Sequence, residues 1–305
     1  MKIIQNNSKK FQKIMKYFYI AVLCILLVSC SSNNSSKREN TITVASFNIE
    51  WLGDGTDDRM PRTEGEYKRL AKIISGTGAD IIACEEIENT AALERVVKYL
   101  DDYSCYVEEG SGSQNLGVIY RTSLNLKIIG KYAPVAINPL RNRPGLELYV
   151  KSGNFDFSMM IVHLKSTSRY DNTDEKRAAA FETRHLQAEV LSNWVDSCLK
   201  SNKEQDYIIL GDFNDAPLRE KTALAALIGN SNITFLTENT KSCGRYSDNY
   251  TIDNIVVSKS AMKRCYVESL HLYDFTQEYT AHQLESISDH CPVVIQFDIE
   301  APDND

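Results

Sequence analysis

Short apolar segments rich in β-branched residues recur from Thr43 to Phe297, and most of them stop on a carboxylate, an amide or an imidazole. Runs this short, bounded by polar residues, predict strands. They cover Thr43–Ile49, Ile81–Cys84, Leu116–Tyr120, Phe155–His163, Tyr207–Leu210, Ile252–Val257 and Pro292–Phe297. Between them, helical spacing links Tyr67, Leu70 and Ile74, then Leu93, Val96, Val97 and Leu100. It is strongest from Lys176 to Leu199, where Leu186, Val190, Trp194 and Leu199 are expected to share a buried face. No linker or internal repeat follows residue 41, so a single α/β domain is expected over residues 42–300.

The polar endings carry the chemistry. Ser46-Phe47-Asn48-Ile49-Glu50 closes the first strand, Glu85-Glu86 follows the second, and His163 ends the fourth. Gly211-Asp212-Phe213-Asn214 follows Tyr207–Leu210, Asp253 lies in Thr251-Ile252-Asp253-Asn254, and Asp289-His290 precedes the last strand. Loops at strand ends are where rigid scaffolds display reacting groups. One such aspartate alone is usually a turn former; six such endings in one chain are not explained that way. The set is rich in carboxylates and amides, with histidine as its only nitrogen base. Oxygen donors of this kind suit Mg²⁺, with Mn²⁺ or Ca²⁺ as alternatives, whereas zinc favours cysteine and histidine clusters. Phosphate chemistry follows as the expectation.

In this order the elements resemble the endonuclease/exonuclease/phosphatase superfamily, the deoxyribonuclease-like fold. The likeness runs from about Thr43 to Phe297 and rests on Asn48, the Glu85-Glu86 pair, His163-Leu164-Lys165-Ser166, Gly211–Asn214, Ile252–Ile255 and Ser288-Asp289-His290. It implies a four-layer α/β/β/α sandwich of two mixed, mainly antiparallel sheets with outer helices. It also implies Glu86, Asn48 and Asp289 as metal ligands, with Asp212 and Asn214 positioning and activating a water. His290 is expected to contact the scissile phosphate, its tautomer fixed by Asp253, with His163 opposite as a second phosphate contact or proton donor. Arg143, in Arg143-Pro144, and Gln114-Asn115 are further phosphate-contact candidates. Two neighbours depart from the usual pattern: Glu85 replaces a glutamine and is expected to add negative charge, and Asn254 stands where Tyr, His or Arg is common.

The N-terminus suggests export. The first 16 residues hold five lysines and no acid, and the apolar run Tyr17–Val28 is shorter than the roughly 20 residues of a bilayer-spanning helix. Leu27-Val28-Ser29-Cys30 resembles a lipobox, so residues 1–29 are expected to be a lipoprotein signal peptide, Cys30 the lipidation site and 30–41 a flexible tether. The expected location is a bacterial membrane surface facing periplasm or exterior, as a monomer. Cleavage removes five of the 34 basic residues, leaving 29 against 41 acidic ones, a net charge of −12. Such a surface repels nucleic acid unless a metal or local basic patch offsets it, which weighs against a non-enzymatic DNA-binding role.

Three functions stay open: an exported nuclease acting on DNA or RNA, a sphingomyelinase-like phospholipase C, and a catalytically silent binding protein. Resemblance of His163–Ser166 and of Arg184–Ala188 to secreted nucleases favours the first. The second needs an exposed apolar hairpin, for which Tyr273–Tyr279 with Phe275 is the candidate. Trp51 is expected in the core rather than as a base-stacking platform. Cys84 and Cys291 are expected as buried hydrophobes, and a Cys243–Cys265 bridge is open.

Overall fold

A computed structural model describes residues 40–201 and 203–303. The expected signal peptide, Cys30 and the tether up to residue 39 lie outside the described residues. The chain runs β1 (Thr41–Leu52), α1 (Glu64–Gly76), β2 (Ile81–Ile87), α2 (Thr90–Val97), β3 (Tyr103–Glu108), β4 (Asn115–Arg121), β5 (Asn125–Tyr132), β6 (Gly145–Ser152) and β7 (Phe155–His163). It continues with α3 (Asp174–Ser201), β8 (Tyr207–Asp212), α4 (Ala225–Ile228), β9 (Ile233–Phe235), β10 (Asp253–Ser258), α5 (Lys259–Met262), β11 (Cys265–Leu272), α6 (Ala281–Leu284) and β12 (Val293–Asp298). Two six-stranded sheets form, ordered β11-β12-β1-β2-β4-β3 and β5-β6-β7-β8-β10-β9. Only β1/β2 and β7/β8 pair in parallel; the other neighbours are antiparallel.

Strand alternation builds the layers. In β1, Ile42 and Val44 join the cluster between the sheets, whereas Ala45, Phe47 and Ile49 join the cluster beneath α1 and α2. In β7, Phe155, Phe157, Met159 and Ile161 point inward while Met160 and Val162 pack towards α3. Each fully buried large apolar side chain contributes roughly 1.5–3 kcal/mol, and a one-residue slip would turn every one of them to the wrong layer. The same period continues past the apolar residues. Position 48 follows 42, 44 and 46; position 163 follows 155 to 161; position 212 follows 208 and 210; position 253 precedes 255 and 257. Asn48, His163, Asp212 and Asp253 therefore lie at the end of the inter-sheet layer, and each is at most 3% exposed.

Several expectations change. All four edge strands, β3, β5, β9 and β11, lack a counterpart among the predicted ones. Edges carry little apolar signal: β5 alternates exposed and half-buried residues along its whole length, and β11 is mostly half-buried or exposed. In β6, Leu146, Leu148 and Val150 keep the period, but Glu147 and Lys151 dilute it. The buried stripe of α3 is Ala180, Arg184, Gln187, Ala188, Leu191, Trp194 and Val195, which shares only Trp194 with the expected face. Two polar residues occupy that stripe because they bind backbone, a role hydrophobic periodicity does not register. The candidate bilayer hairpin is not one: Phe275 is fully buried, edge-on to Phe47 with centroids 6.1 Å apart. Cys243 pairs with Cys291 rather than Cys265, so Cys291 is buried as half of a disulfide, while Cys84 is buried and free as expected.

Candidate active site

Parallel β1 and β2 end at one edge of their sheet, and β12, antiparallel to β1, begins there. The second sheet repeats the arrangement with β7, β8 and β10. Across the gap, Asn48 Nδ2 donates to Asp212 Oδ2 at 3.1 Å and joins the two edges. Gly211 allows the close approach: its φ is +140°, and a Cβ there would lie 1.9 Å from the Val162 carbonyl oxygen.

Asp212 is the hub. Its Oδ1 accepts from the Asn214 backbone N–H at 2.7 Å, and its Oδ2 also receives Asn214 Nδ2 at 3.3 Å. His163 Nε2 lies 3.4 Å and His290 Nε2 4.0 Å from the same oxygen. His290 Nδ1 faces both Asp253 oxygens, at 2.8 and 3.0 Å, which assigns its proton to that nitrogen. Burial opposes charge on His290, but Asp253, Asp212 and Asp289 outweigh it and hold the imidazolium well above the ordinary value. His163 goes the other way: burial, then Arg143 and His290, keep it neutral. As a neutral imidazole, His163 offers a hydrogen bond rather than a transferable proton. Burial raises the Asp212 carboxyl against the pull of His290, making it a stronger base than a surface aspartate.

A second group of carboxylates flanks this hub. Glu86 is turned to the site by a bulge in β2, with φ +63°; its Oε2 accepts the Trp51 N–H at 3.2 Å, and its Oε1 lies 3.9 Å from His163 Nε2. Glu50, which sequence reasoning did not single out as a ligand, accepts the Asp289 N–H at 3.1 Å. Burial, then the Asp289 and Glu86 carboxylates, push the Glu50 carboxyl above its usual range. Glu50 thus feels both neighbouring carboxylates. With Asn48, whose Oδ1 accepts the Glu50 N–H at 3.0 Å, these residues offer oxygen donors of the kind a hard divalent cation takes. Among the described residues, the tightest cluster of potential ligands at the site is Asp212, Asp253 and His290, with atoms within 4.8 Å of one another. Asp289 Oδ2 also pairs with the exposed Arg245 at 3.1 Å.

Arg62 is a further residue the sequence did not flag. Its guanidinium, 6% exposed, donates to the carbonyls of Ile49, Glu50, Trp51, Ser286 and Ile287. This clamps the bulged end of β1 to the segment before β12, where Ser288 Oγ also donates to Asn48 O at 2.7 Å. No local pattern announces such a role; Arg62 and Ser286 are 224 residues apart.

The phosphate-contact candidates divide. Arg143 is beside the site, where burial lowers its pKa against the pull of Glu86 and Asp212, and it donates to Gln114 O, Gln114 Oε1 and His163 O. Asn115 spends both amide hydrogens on the Glu88 and Gly112 carbonyls and accepts from Ser111 N. It shapes its own loop and has no donor left for a phosphate. Gln187 accepts the Lys165 N–H at 2.8 Å and Arg184 donates to Lys165 O at 2.6 Å, which fixes the loop after His163. Asn254 donates to the Asp215 and Ile252 carbonyls at 3.0 Å. Trp51 is half-buried, not in the core.

Glu85 does not bring the expected extra charge. It is fully buried, Oε1 accepts from Ser46 Oγ at 3.1 Å, and Oε2 has no partner among the described residues. Burial, then Asp253 and Asp212, raise its carboxyl well above the ordinary range, so near neutral pH it is an uncharged acid, close to a glutamine in shape. Unfolded, Glu85 ionises near pH ~4.3. Above that, the unfolded state releases a proton that the native state keeps, so stability falls with rising pH by up to about 1.4 kcal/mol per unit until the folded pKa is reached. Glu85→Gln removes that loss. Urea unfolding at pH 5 and pH 8 is expected to show the variant gaining on wild type at the higher pH; parallel pH profiles would contradict this assignment.

The sequence profile of the endonuclease/exonuclease/phosphatase family matches residues 45–290. Truncated TDP2 from Caenorhabditis elegans superposes with a TM-score of 0.56 at 16% identity, over 84% of this chain and 97% of that one. Mannosyl-6-phosphatase from Bacteroides thetaiotaomicron VPI-5482 gives 0.56 at 18% identity, over 83% and 98%. TDP2 from D. rerio, complexed with single strand DNA product, gives 0.57 at 16% identity, over 85% and 99%. At these identities the likeness establishes the fold. No curated protein sequence matches the chain.

Proposed function

The chain belongs to the endonuclease/exonuclease/phosphatase family of hydrolases, and from that premise we propose a divalent-metal-dependent phosphodiesterase, exported and lipid-anchored at Cys30, that cleaves DNA or RNA. One observation carries the reading. A charged His290 held by Asp253 and a neutral His163 face one oxygen of Asp212, beside Glu50, Glu86 and Asp289. This arrangement supplies a base, an acid and a place for a cation within one cleft.

A divalent cation held by Glu50, Glu86, Asp289 and Asn48 would supply positive charge against the phosphate oxygens. Mg²⁺ is the first candidate, with Mn²⁺ and Ca²⁺ as alternatives. Asp212, oriented by Asn48 and Asn214, takes the proton of a water whose oxygen attacks phosphorus opposite the leaving oxygen. The imidazolium of His290 binds a phosphate oxygen through Nε2–H and neutralises charge gathering there. His163 donates Nε2–H from the other side. The phosphorus–oxygen bond to the leaving alcohol then breaks, that oxygen takes up the Nε2 proton of His290, and the proton Asp212 took from the water restores the imidazolium across the 4.0 Å between them.

Nucleic acid is favoured over sphingomyelin because burial of Phe275 removes the segment that an apolar membrane hairpin would need. Export is supported by the N-terminal pattern and by the Cys243–Cys291 disulfide, a bond that persists in oxidising compartments.

The test is hydrolysis of DNA, RNA, sphingomyelin and a bis-aryl phosphate by the full chain, with Mg²⁺ and with chelator. Metal charge stabilisation is worth several kcal/mol, so chelation is expected to slow nucleic acid and bis-aryl phosphate cleavage by at least ~100-fold. Absence of cleavage under any divalent metal refutes the enzymatic reading, and cleavage of sphingomyelin alone refutes the nucleic acid one.

A further inference from the structure

Two loops leave the site, one from the end of β1 and one from the end of β7, and each carries an arginine on an aromatic ring. Glu50 and Trp51 both have left-handed backbone, φ +43° and +54°, a conformation that costs non-glycine residues about 1–3 kcal/mol each. The Arg62 clamp holds them there, so that Ile49 and Leu52 both stay fully buried while Trp51 between them is displaced towards the surface. The Trp51 backbone N–H is tied to Glu86, so the main chain that carries the indole is fixed next to the carboxylate centre. The guanidinium of Arg59 lies 3.7 Å from the Trp51 ring centroid.

On the β7 side, Tyr170 is 66% exposed, and Arg169 sits 5.1 Å over its ring and donates to its hydroxyl at 3.0 Å. Arg169 by its hydrogen bond and charge, and more weakly Arg59, depress the Tyr170 phenol, in keeping with two loops that leave the same site. Tyr170 also lines a cleft of about 500 Å³ with Arg141, Lys165 and Lys176. Among the described residues, Arg59, Arg141, Arg169 and Lys176 have no carboxylate partner, although the chain is acidic overall. Unpaired cations interleaved with presented aromatic rings are the recognition chemistry of unstacked bases and their phosphates.

We propose that Trp51–Arg59 and Arg169–Tyr170 form a single-strand subsite, which stacks bases next to the scissile phosphate and holds the neighbouring phosphates. This rests on the nucleic acid reading of the site and narrows it to strands with unpaired bases. A duplex keeps its bases stacked on one another and has none to offer the rings.

The chain has two tryptophans, and Trp194 is 4% exposed, so quenching of the emission on ligand binding reports Trp51. Oligothymidylate and a duplex of equal length are titrated into the full chain carrying His290→Ala, with Mg²⁺. Stacking on one aromatic side chain is worth about 1–3 kcal/mol per base. The single strand is therefore expected to bind at least ~10-fold tighter than the duplex. Tyr170→Ala and Arg59→Ala, added separately, are each expected to weaken single-strand binding about 10-fold. In the otherwise wild-type chain, they should lower kcat/KM for the oligonucleotide about 10-fold more than for a bis-aryl phosphate. Equal affinity for single strand and duplex, or variants that bind oligothymidylate as tightly, overturns the subsite while nucleic acid cleavage stands. A chain that hydrolyses the bis-aryl phosphate but neither binds nor cleaves any polynucleotide overturns both readings.

Discussion

Replacing His290 by alanine is expected to lower kcat for phosphodiester hydrolysis by about 10²- to 10⁴-fold, the range a positioned acid or base contributes. Three carboxylates overcome the burial of the His290 side chain and keep it charged. Asp253→Asn tests the same pair with a smaller change, because it keeps a partner for Nδ1 while removing the leading charge. The sign is fixed. His290 is raised in the folded protein, so activity that needs the imidazolium is present below its folded pKa and is lost as pH rises through it. Without the Asp253 charge that loss moves to lower pH. Pre-steady-state rates between pH 5 and 10 with saturating metal would measure the shift. Full activity in His290→Ala, or an unmoved alkaline limb in Asp253→Asn, would remove His290 from the reaction.

Reduction of Cys243–Cys291 is expected to cost about 4 kcal/mol, the loop-closure contribution of a cross-link spanning 48 residues. That is large against a total stability of roughly 5–15 kcal/mol. At about 2–4 °C per kcal/mol for a domain of this size, the melting temperature should drop by roughly 10 °C with reductant or in Cys243→Ser. The position adds a functional consequence. Cys291 directly follows His290, and Cys243 precedes the turn that carries Arg245 to Asp289. Opening the bond frees the corner on which both His290 and Asp289 depend, so hydrolysis should weaken at temperatures where the fold still holds. Thermal melts and initial rates, each with and without dithiothreitol, decide this; identical curves would show that the bond has no structural weight.

Strand periodicity made much of the site legible before any tertiary contact was known. The burial that orders Phe155, Phe157, Met159 and Ile161 on one side also sets the direction of His163. The same phase runs from Ile208 and Leu210 to Asp212, and from Ile42 and Val44 to Asn48. A period of two is a local property, enforced by many apolar groups at once, so it survives into the fold unchanged. The landmarks Asn48, His163, Asp212 and Asp253 lie on that period.

Tertiary structure decided what periodicity does not carry. Glu86 reaches the site only through a bulge in β2, and Glu50 and Trp51 only through a bulge in β1 that Arg62 clamps by carbonyls up to 225 residues away. The buried stripe of α3 holds Arg184 and Gln187 because the Lys165 backbone needs partners. Asn115 turned inward to its own loop, Glu85 lost its charge to burial, and Cys243 found Cys291. Each of these outcomes is set by which backbone groups, charges or sulfurs lie close in space, information held in contacts between distant segments and absent from any local run of residues.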